Sequence, residues 1–374
     1  MLQSPDVVLP QKESNQQINV GTLRVWLKNC DSNHGEICNR SLCESATDVR
    51  PTDYVPLIFI DVVRLYLVES TSNEKYFALS YVWGKVDMLP TLTENFKARK
   101  KPGGLTGLHF PKTMFDAIEL VRSLGETYLW VDALCIVQDD KIQKARDITN
   151  MDVVYSKAFA TIVGMHGTSA DAGLPGVRPK TRPPQKVETL VTKAGSEDLD
   201  YDPDASDDNN VAINLVATPP ELYLALESSG WDSRGWTFQE RLLSRRCIYF
   251  SRNYLYFQCG QRSYVLSECG INEQIPDEGD DDEYEGPRRK APIITALDNP
   301  LYDLAPSLVD LPAESKRAEI FRAYSKLAEK YTYRQLTYDS DIINAFLGTF
   351  KALETFQGQV LCGLPLPTLD LALL

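Results

Sequence analysis

Between Tyr76 and Met165 short apolar runs alternate with amphipathic stretches of helical period, and this alternation leaves few architectures open to the chain. Tyr76 to Val82 (YFALSYV) reads as a buried strand. Pro111 to Gly125 comes next with proline at its start, glycine at its end, and Phe115, Ile118 and Val121 on one face, the pattern of a capped helix. Thr127 to Ile136 is aromatic and β-branched enough for a second strand, and Phe159 to Met165 closes a third. Between them Asp140 to Ala158 reads as a helix with Ile148, Met151 and Val154 or Tyr155 inward. This β-α-β-α-β order predicts an α/β fold with a doubly wound, mainly parallel sheet and helices on both faces. Ligands in such sheets bind beyond the carboxyl ends of the strands, where LSYVWG (Leu79 to Gly84) and WVDALCI (Trp130 to Ile136) both end.

Farther along, Pro220 to Ser229 and Gly235 to Leu243 read as helices and Arg246 to Cys259 as a strand pair. Glu314 to Tyr331 and Asp339 to Phe356 have helical periodicity, the first with Phe321, Tyr324 and Leu327 on one face. Two segments interrupt the order. Pro179 to Asn210 is Pro-rich and then Asp-rich, and Ile275 to Pro300 repeats that character, so both read as solvated loops. Glu197 to Asp208 and Asp277 to Glu285 carry seven carboxylates each; without those 14 of the 52 acids, 38 acids face 39 bases. The net charge of −13 therefore belongs to the insertions, and no tandem basic and aromatic patch points to nucleic acid.

No stretch reaches the roughly 18 unbroken apolar residues of a membrane-spanning helix. The first residues lack a basic start and an apolar signal core, which leads to the expectation of a cytosolic chain whose eight cysteines are reduced thiols. No GxGxxG follows a strand, and GxxxxGK[ST], HExxH and GxSxG are absent, so the phosphate-loop, zinc-protease and hydrolase-elbow chemistries lack their residues.

Three groups carry candidate chemistry. LSYVWG offers the hydroxyl of Ser80, the rings of Tyr81 and Trp83 and the open backbone of Gly84 at a strand end, or else the rings are core and Gly84 makes the turn. Asp132 interrupts an apolar run and needs a partner, with Arg234 the first to consider; Cys135 beside it reads as an inert buried thiol. WDSRGWTFQE (Trp231 to Glu240) gathers Arg234, Trp236, Gln239 and Glu240, and Trp236 and Glu240, four apart, share a helix face that can present a ring and a carboxylate to one ligand. The plainer alternative is a surface ion pair from Glu240 with the tryptophans in the core. Separately, Cys30, His34 and Cys38, with Cys43 as a fourth group, form a candidate zinc cluster on one face of a helix; the alternative is a small N-terminal cap in which the cysteines only pack.

LSYVWG, YLWVDALCIVQDD (Tyr128 to Asp140) and RGWTFQERLLS (Arg234 to Ser244) occur in the order in which they mark the fungal heterokaryon-incompatibility (HET) family, and the chain resembles that family over these blocks. YTYRQLTYDSDIINAFLG (Tyr331 to Gly348) resembles a block that commonly comes after the domain. The resemblance divides the chain into an N-terminal cap (1–50), a HET domain (51–270, with the acidic insertion at about 179–212), an acidic loop (271–300) and a C-terminal helical segment (301–374) expected to continue in a longer parent protein. It implies a cytoplasmic effector of heterokaryon incompatibility, programmed cell death and immunity-like responses, which self-associates and answers to a sensor or regulatory protein.

HET domains are distantly similar to TIR domains with a flavodoxin-like core, whose enzymatic members hydrolyse NAD with one glutamate. Trp236, Glu240 and Leu242 keep the W-x3-E-x-L spacing of that family, while Ser233 lies three residues before the Trp rather than two and Thr237 replaces a Cys. The similarity implies Glu240 as the catalytic residue, with Ser80, Tyr81, Trp83, Gly84, Asp132, Arg234, Trp236 and Gln239 around the ligand. NAD is then the substrate, and no cofactor or metal is required. The alternative is a non-catalytic death-signalling module that acts through protein partners.

Overall fold

The computed structural model describes residues 16–39, 54–184, 187–193, 210–216, 219–260, 265–268, 301, 304, 308, 311–357, 360, 361 and 363–372. In chain order its main strands are β1 (Pro56–Asp61), β2 (Tyr66–Thr71), β3 (Tyr76–Ser80), β4 (Tyr128–Trp130), β5 (Ala160–Gly164), β6 (Val187–Lys193), β7 (Asn210–Val216), β8 (Arg246–Phe250), β9 (Leu255–Cys259) and β10 (Val265–Glu268). Eight of them form one sheet in the order β10-β9-β8-β5-β3-β4-β1-β2. The four central strands β8, β5, β3 and β4 run parallel, and antiparallel pairs complete both sides. Every residue of β3, β5 and β8 is buried, as strands covered on both faces require.

The helices that position the site are α1 (Val20–Asn33), α2 (Gly35–Asn39), α3 (Thr93–Arg99), α4 (Lys112–Leu124), α5 (Asp132–Cys135), α6 (Lys141–Thr149), α7 (Met151–Lys157), α8 (Leu222–Glu227), α9 (Gly235–Leu243), α10 (Ala313–Thr332) and α11 (Leu347–Gln357). The step from β3 to β4 moves one way along the sheet, and the steps through β5 to β8 move the other. Right-handed crossovers therefore put α4 on one face and α7 and α9 on the opposite one. Accordingly α1 packs on α4, while α7, α9 and α11 pack on one another. The alternation of β3 sends Tyr76, Ala78 and Ser80 toward the α7 and α9 side, where the Tyr76 hydroxyl donates to the Val154 carbonyl (2.6 Å).

The α/β class and the parallel centre match the sequence reading, with several corrections. The expected strand 127–136 ends at Trp130, and Asp132–Cys135 is a single helical turn, because a short buried apolar run has no period by which to tell strand from helix. The expected helix 140–158 is two helices meeting at Asn150. Phe115 is 42% exposed, while Met114, Ala117, Ile118 and Val121 form the buried face of α4. On α10 the buried residues are Ile320, Ala323, Leu327 and Tyr331, with Phe321 and Tyr324 only half-buried. Short 3-10 turns at Asp339–Asp341 and Asn344–Phe346 precede α11, which starts at Leu347 rather than near Asp339. β6, inside the first insertion, pairs with β7, which begins at the insertion's last residue, as a ribbon from Val187↔Val216 to Lys193↔Asn210, so Val187–Lys193 is strand rather than loop. Residues 194–209 and 275–300 lie outside the described residues.

Candidate functional site

Ser80 is the last residue of β3, and its side chain points to the face that α9 covers. Glu240 lies on α9 one turn before its end, is 8% exposed, and accepts a hydrogen bond from the Ser80 hydroxyl. The Trp231 indole N–H donates in turn to Ser80 Oγ (2.8 Å), which leaves that hydroxyl's proton for the carboxylate. The Tyr155 hydroxyl, brought by α7, donates to the Leu79 carbonyl (3.4 Å) and lies near enough to Glu240 to favour its ionised form.

Asp132 stands at the end of β4 beside this group. Its carboxylate accepts from the Tyr81 hydroxyl (3.1 Å), the Trp83 indole N–H (2.8 Å) and the Ala133 backbone N–H (2.7 Å). Arg234, expected as its direct partner, instead donates from Nη1 to the Tyr81 carbonyl (2.8 Å), and its charge bears on both Asp132 and Glu240. Burial pushes the Glu240 carboxyl up to about 7; the Ser80 bond and the Arg234 charge oppose that rise, and the Asp132 charge adds to it. Burial likewise raises Asp132, against the pull of its three donors. Asp132, just past the end of β4, and Glu240, on α9 beside the end of β3, thus both lie within the field of the Arg234 guanidinium. Trp83 and Arg234 remain half-exposed beside them. Such a cluster can hold polar hydroxyls, stabilise a developing positive charge and offer a ring for stacking.

Residues 76–240 match the family model described as heterokaryon incompatibility protein (HET). The chain carries a HET domain. That domain implies a part in heterokaryon incompatibility. Comparison with curated proteins and with solved structures gives no match. Every member of the polar cluster falls inside the matched range, whereas β8, β9 and β10 of the same sheet fall beyond it.

Not every residue expected at the site of the HET domain is there. Trp236 turns to the C-terminal segment, with its indole N–H 3.4 Å from an Asp341 carboxylate oxygen. The Gln239 amide oxygen accepts from the Gly348 backbone N–H (3.1 Å), so this residue fastens α11. Gly84 has φ +65°, and a Cβ there would meet Ser169 Cβ at 2.4 Å; it lets the loop after β5 cross the strand end. Cys135 is buried, its thiol pushed up by burial, as an inert core residue should be. Tyr155 and Trp231 were not expected as partners of Glu240. Tyr155 sits at a helical core position and gives no separate signal; Trp231 did, as an indole N–H that needs an acceptor once buried. A cavity between β1, β2 and α6, lined by Ile58, Glu69, Arg146 and Asp147, contains neither Ser80, Asp132 nor Glu240. Cys30, His34 and Cys38 form another cluster, which Cys259 joins; Cys43 lies outside the described residues.

Proposed function

We propose that this HET-domain chain is an effector of incompatibility-type cell death that hydrolyses NAD, with Glu240 as the catalytic residue. The observation that carries the reading is the buried Glu240 carboxyl beside the end of β3, held by the Ser80 hydroxyl within the field of Arg234 and Asp132. In the reaction the bond between the ribose C1′ and the nicotinamide nitrogen breaks, and its electron pair leaves with nicotinamide. Ionised Glu240 holds the ribose hydroxyls and stabilises the oxocarbenium-like transition state, and water completes ADP-ribose with release of one proton. Trp83 stacks on a ring, and Arg234 meets a phosphate. The distant TIR likeness supports this assignment, since α9 is the crossover helix after the third parallel strand and carries the W-x3-E-x-L spacing. Purified chain at high concentration, incubated with NAD, should release nicotinamide, and a folded Glu240→Gln variant should not.

One observation favours the alternative of a non-catalytic module that assembles with partners. Tyr333, Tyr338, Ile342 and Ile343 lie close together in the chain and are 81%, 67%, 52% and 47% exposed. Large apolar side chains this exposed suit an assembly surface. If assembly alone causes death, Tyr338→Ser with Ile342→Ser abolishes it, and Glu240→Gln leaves it intact.

A further inference from the structure

Three cysteines and a histidine converge where the N-terminal helices meet the sheet. Cys30 lies in the last turn of α1, His34 caps that helix, Cys38 lies in α2, and Cys259 ends β9. The continuous helix expected through Cys30, His34 and Cys38 breaks at Gly35, whose φ of +53° suits glycine. That break turns Cys38 back toward Cys30. The four potential ligand atoms all lie within 4.8 Å of one another, with His34 Nδ1 at 3.3 Å from Cys259 Sγ and 3.7 Å from Cys38 Sγ. Zinc bound at about 2.3 Å to sulfur and about 2.0 Å to nitrogen gives a tetrahedron with edges of about 3.5 to 3.8 Å. The two His34 distances of 3.3 and 3.7 Å bracket the nitrogen–sulfur edge, and separations within 4.8 Å need to close by no more than about 1 Å on a bound ion.

The surroundings fit a metal as well. Cys30 and Cys38 are fully buried, Cys259 is nearly so, and the thiols are not joined in disulfides. Three thiolates on a divalent cation leave one negative charge. Arg246, itself buried and facing Cys259 in the β8–β9 register, donates from Nε to Cys30 Sγ (3.1 Å) and balances that charge. Its Nη2 also bonds Asp31 (3.1 Å) and Asn39 (2.5 Å), which fixes the guanidinium and ties it to both helices. A ligand-bonded outer group of this kind orients the inner ligands and tunes the metal.

We propose that Cys30, His34 (through Nδ1), Cys38 and Cys259 bind one zinc ion that clamps α1 and α2 to the sheet. The site is structural: four protein ligands close it, and none of them lies within the matched residues 76–240. The full chain, purified without chelator, should carry about one equivalent of zinc by elemental analysis. After removal of that metal under reducing conditions, added cobalt(II) should give thiolate-to-cobalt charge-transfer bands and the visible bands of a tetrahedral ion. Chelation should also speed amide exchange across Val20–Asn33. Cys259→Ser should lose the metal, and Cys135→Ser should keep it. Because a serine variant can fail to fold, the cobalt spectrum of the unaltered chain decides. A chain that holds no zinc and gives no charge-transfer band would overturn the proposal, as would an intact mass showing Cys30 joined to Cys38 or Cys259.

Discussion

At the end of β3 a carboxyl group raised to about 7 sits among donors that favour its ionised form, and titration separates the two tendencies. The folded pKa of Glu240 lies above the ordinary 4.5, so between these values the native state binds more proton than the unfolded chain. Its contribution to stability is full below pH 4.5 and is lost as pH rises through about 7, by roughly 3 kcal/mol for a shift of this size. Thermal unfolding of the native chain relative to Glu240→Gln, followed across this range, should show that loss, and a flat difference would mean that Glu240 is not held as described. Nicotinamide release, which needs the ionised carboxylate, should rise with pH through the same value. Trp231→Phe removes the donor to Ser80 and should cost about 1 to 3 kcal/mol in denaturant unfolding, because a buried acceptor loses its partner. Of this site, Asp132 was legible as a carboxylate interrupting an apolar run, Ser80 as a hydroxyl at a strand end, and Glu240 through its helical spacing and the likeness of its motif. Tyr155 was not, since an inward tyrosine on a helix looks the same whether its hydroxyl serves the core or a carboxylate.

At the scale of elements, α9 holds the site together because its two sides meet different partners. One side brings Glu240 to Ser80, and the other, through Phe238, Gln239, Leu242 and Leu243, is covered by the C-terminal segment. Gly348 marks the closest approach: a Cβ there would meet Leu243 Cδ1 at 2.7 Å, Asp152 Cβ at 2.8 Å and Gln239 Oε1 at 2.9 Å. Gly348→Ala should therefore push α11 off α7 and α9 and lower stability by about 1 to 3 kcal/mol, measured by denaturant unfolding. The helix itself was legible to the residue, since its apolar positions repeat at helical spacing and Ser244 comes directly after it. The roles of Trp236 and Gln239 were not. Helical spacing says which residues share a face, and only the packed C-terminal segment decides which neighbour that face meets.

For the whole molecule, the matched HET range stops at Glu240, while the sheet and the cover of α9 both depend on residues C-terminal to it. The Gln335 backbone accepts from the Gly235 N–H (2.8 Å) and donates to the Ser233 carbonyl (2.7 Å), and Arg334 pairs with Asp232 (2.9 Å), so residues 331–357 are fastened across the start of α9. A chain ended before residue 311 uncovers Phe238, Leu242 and Leu243, each worth about 1.5 to 3 kcal/mol of burial, and should be recovered mainly as aggregate on expression. The parallel centre was legible because β-α-β-α-β order permits few topologies. The antiparallel additions on either side were only half legible: Arg246 to Cys259 announces a strand pair, whereas Pro56 to Thr71, the hairpin that joins β4, was not read as strands. The most direct test of the proposed activity is nicotinamide release from NAD by the purified, concentrated chain. Release is expected from the native chain and none from a Glu240→Gln variant with unchanged circular dichroism; equal release by both, or none by either while the native chain still causes cell death, would contradict it.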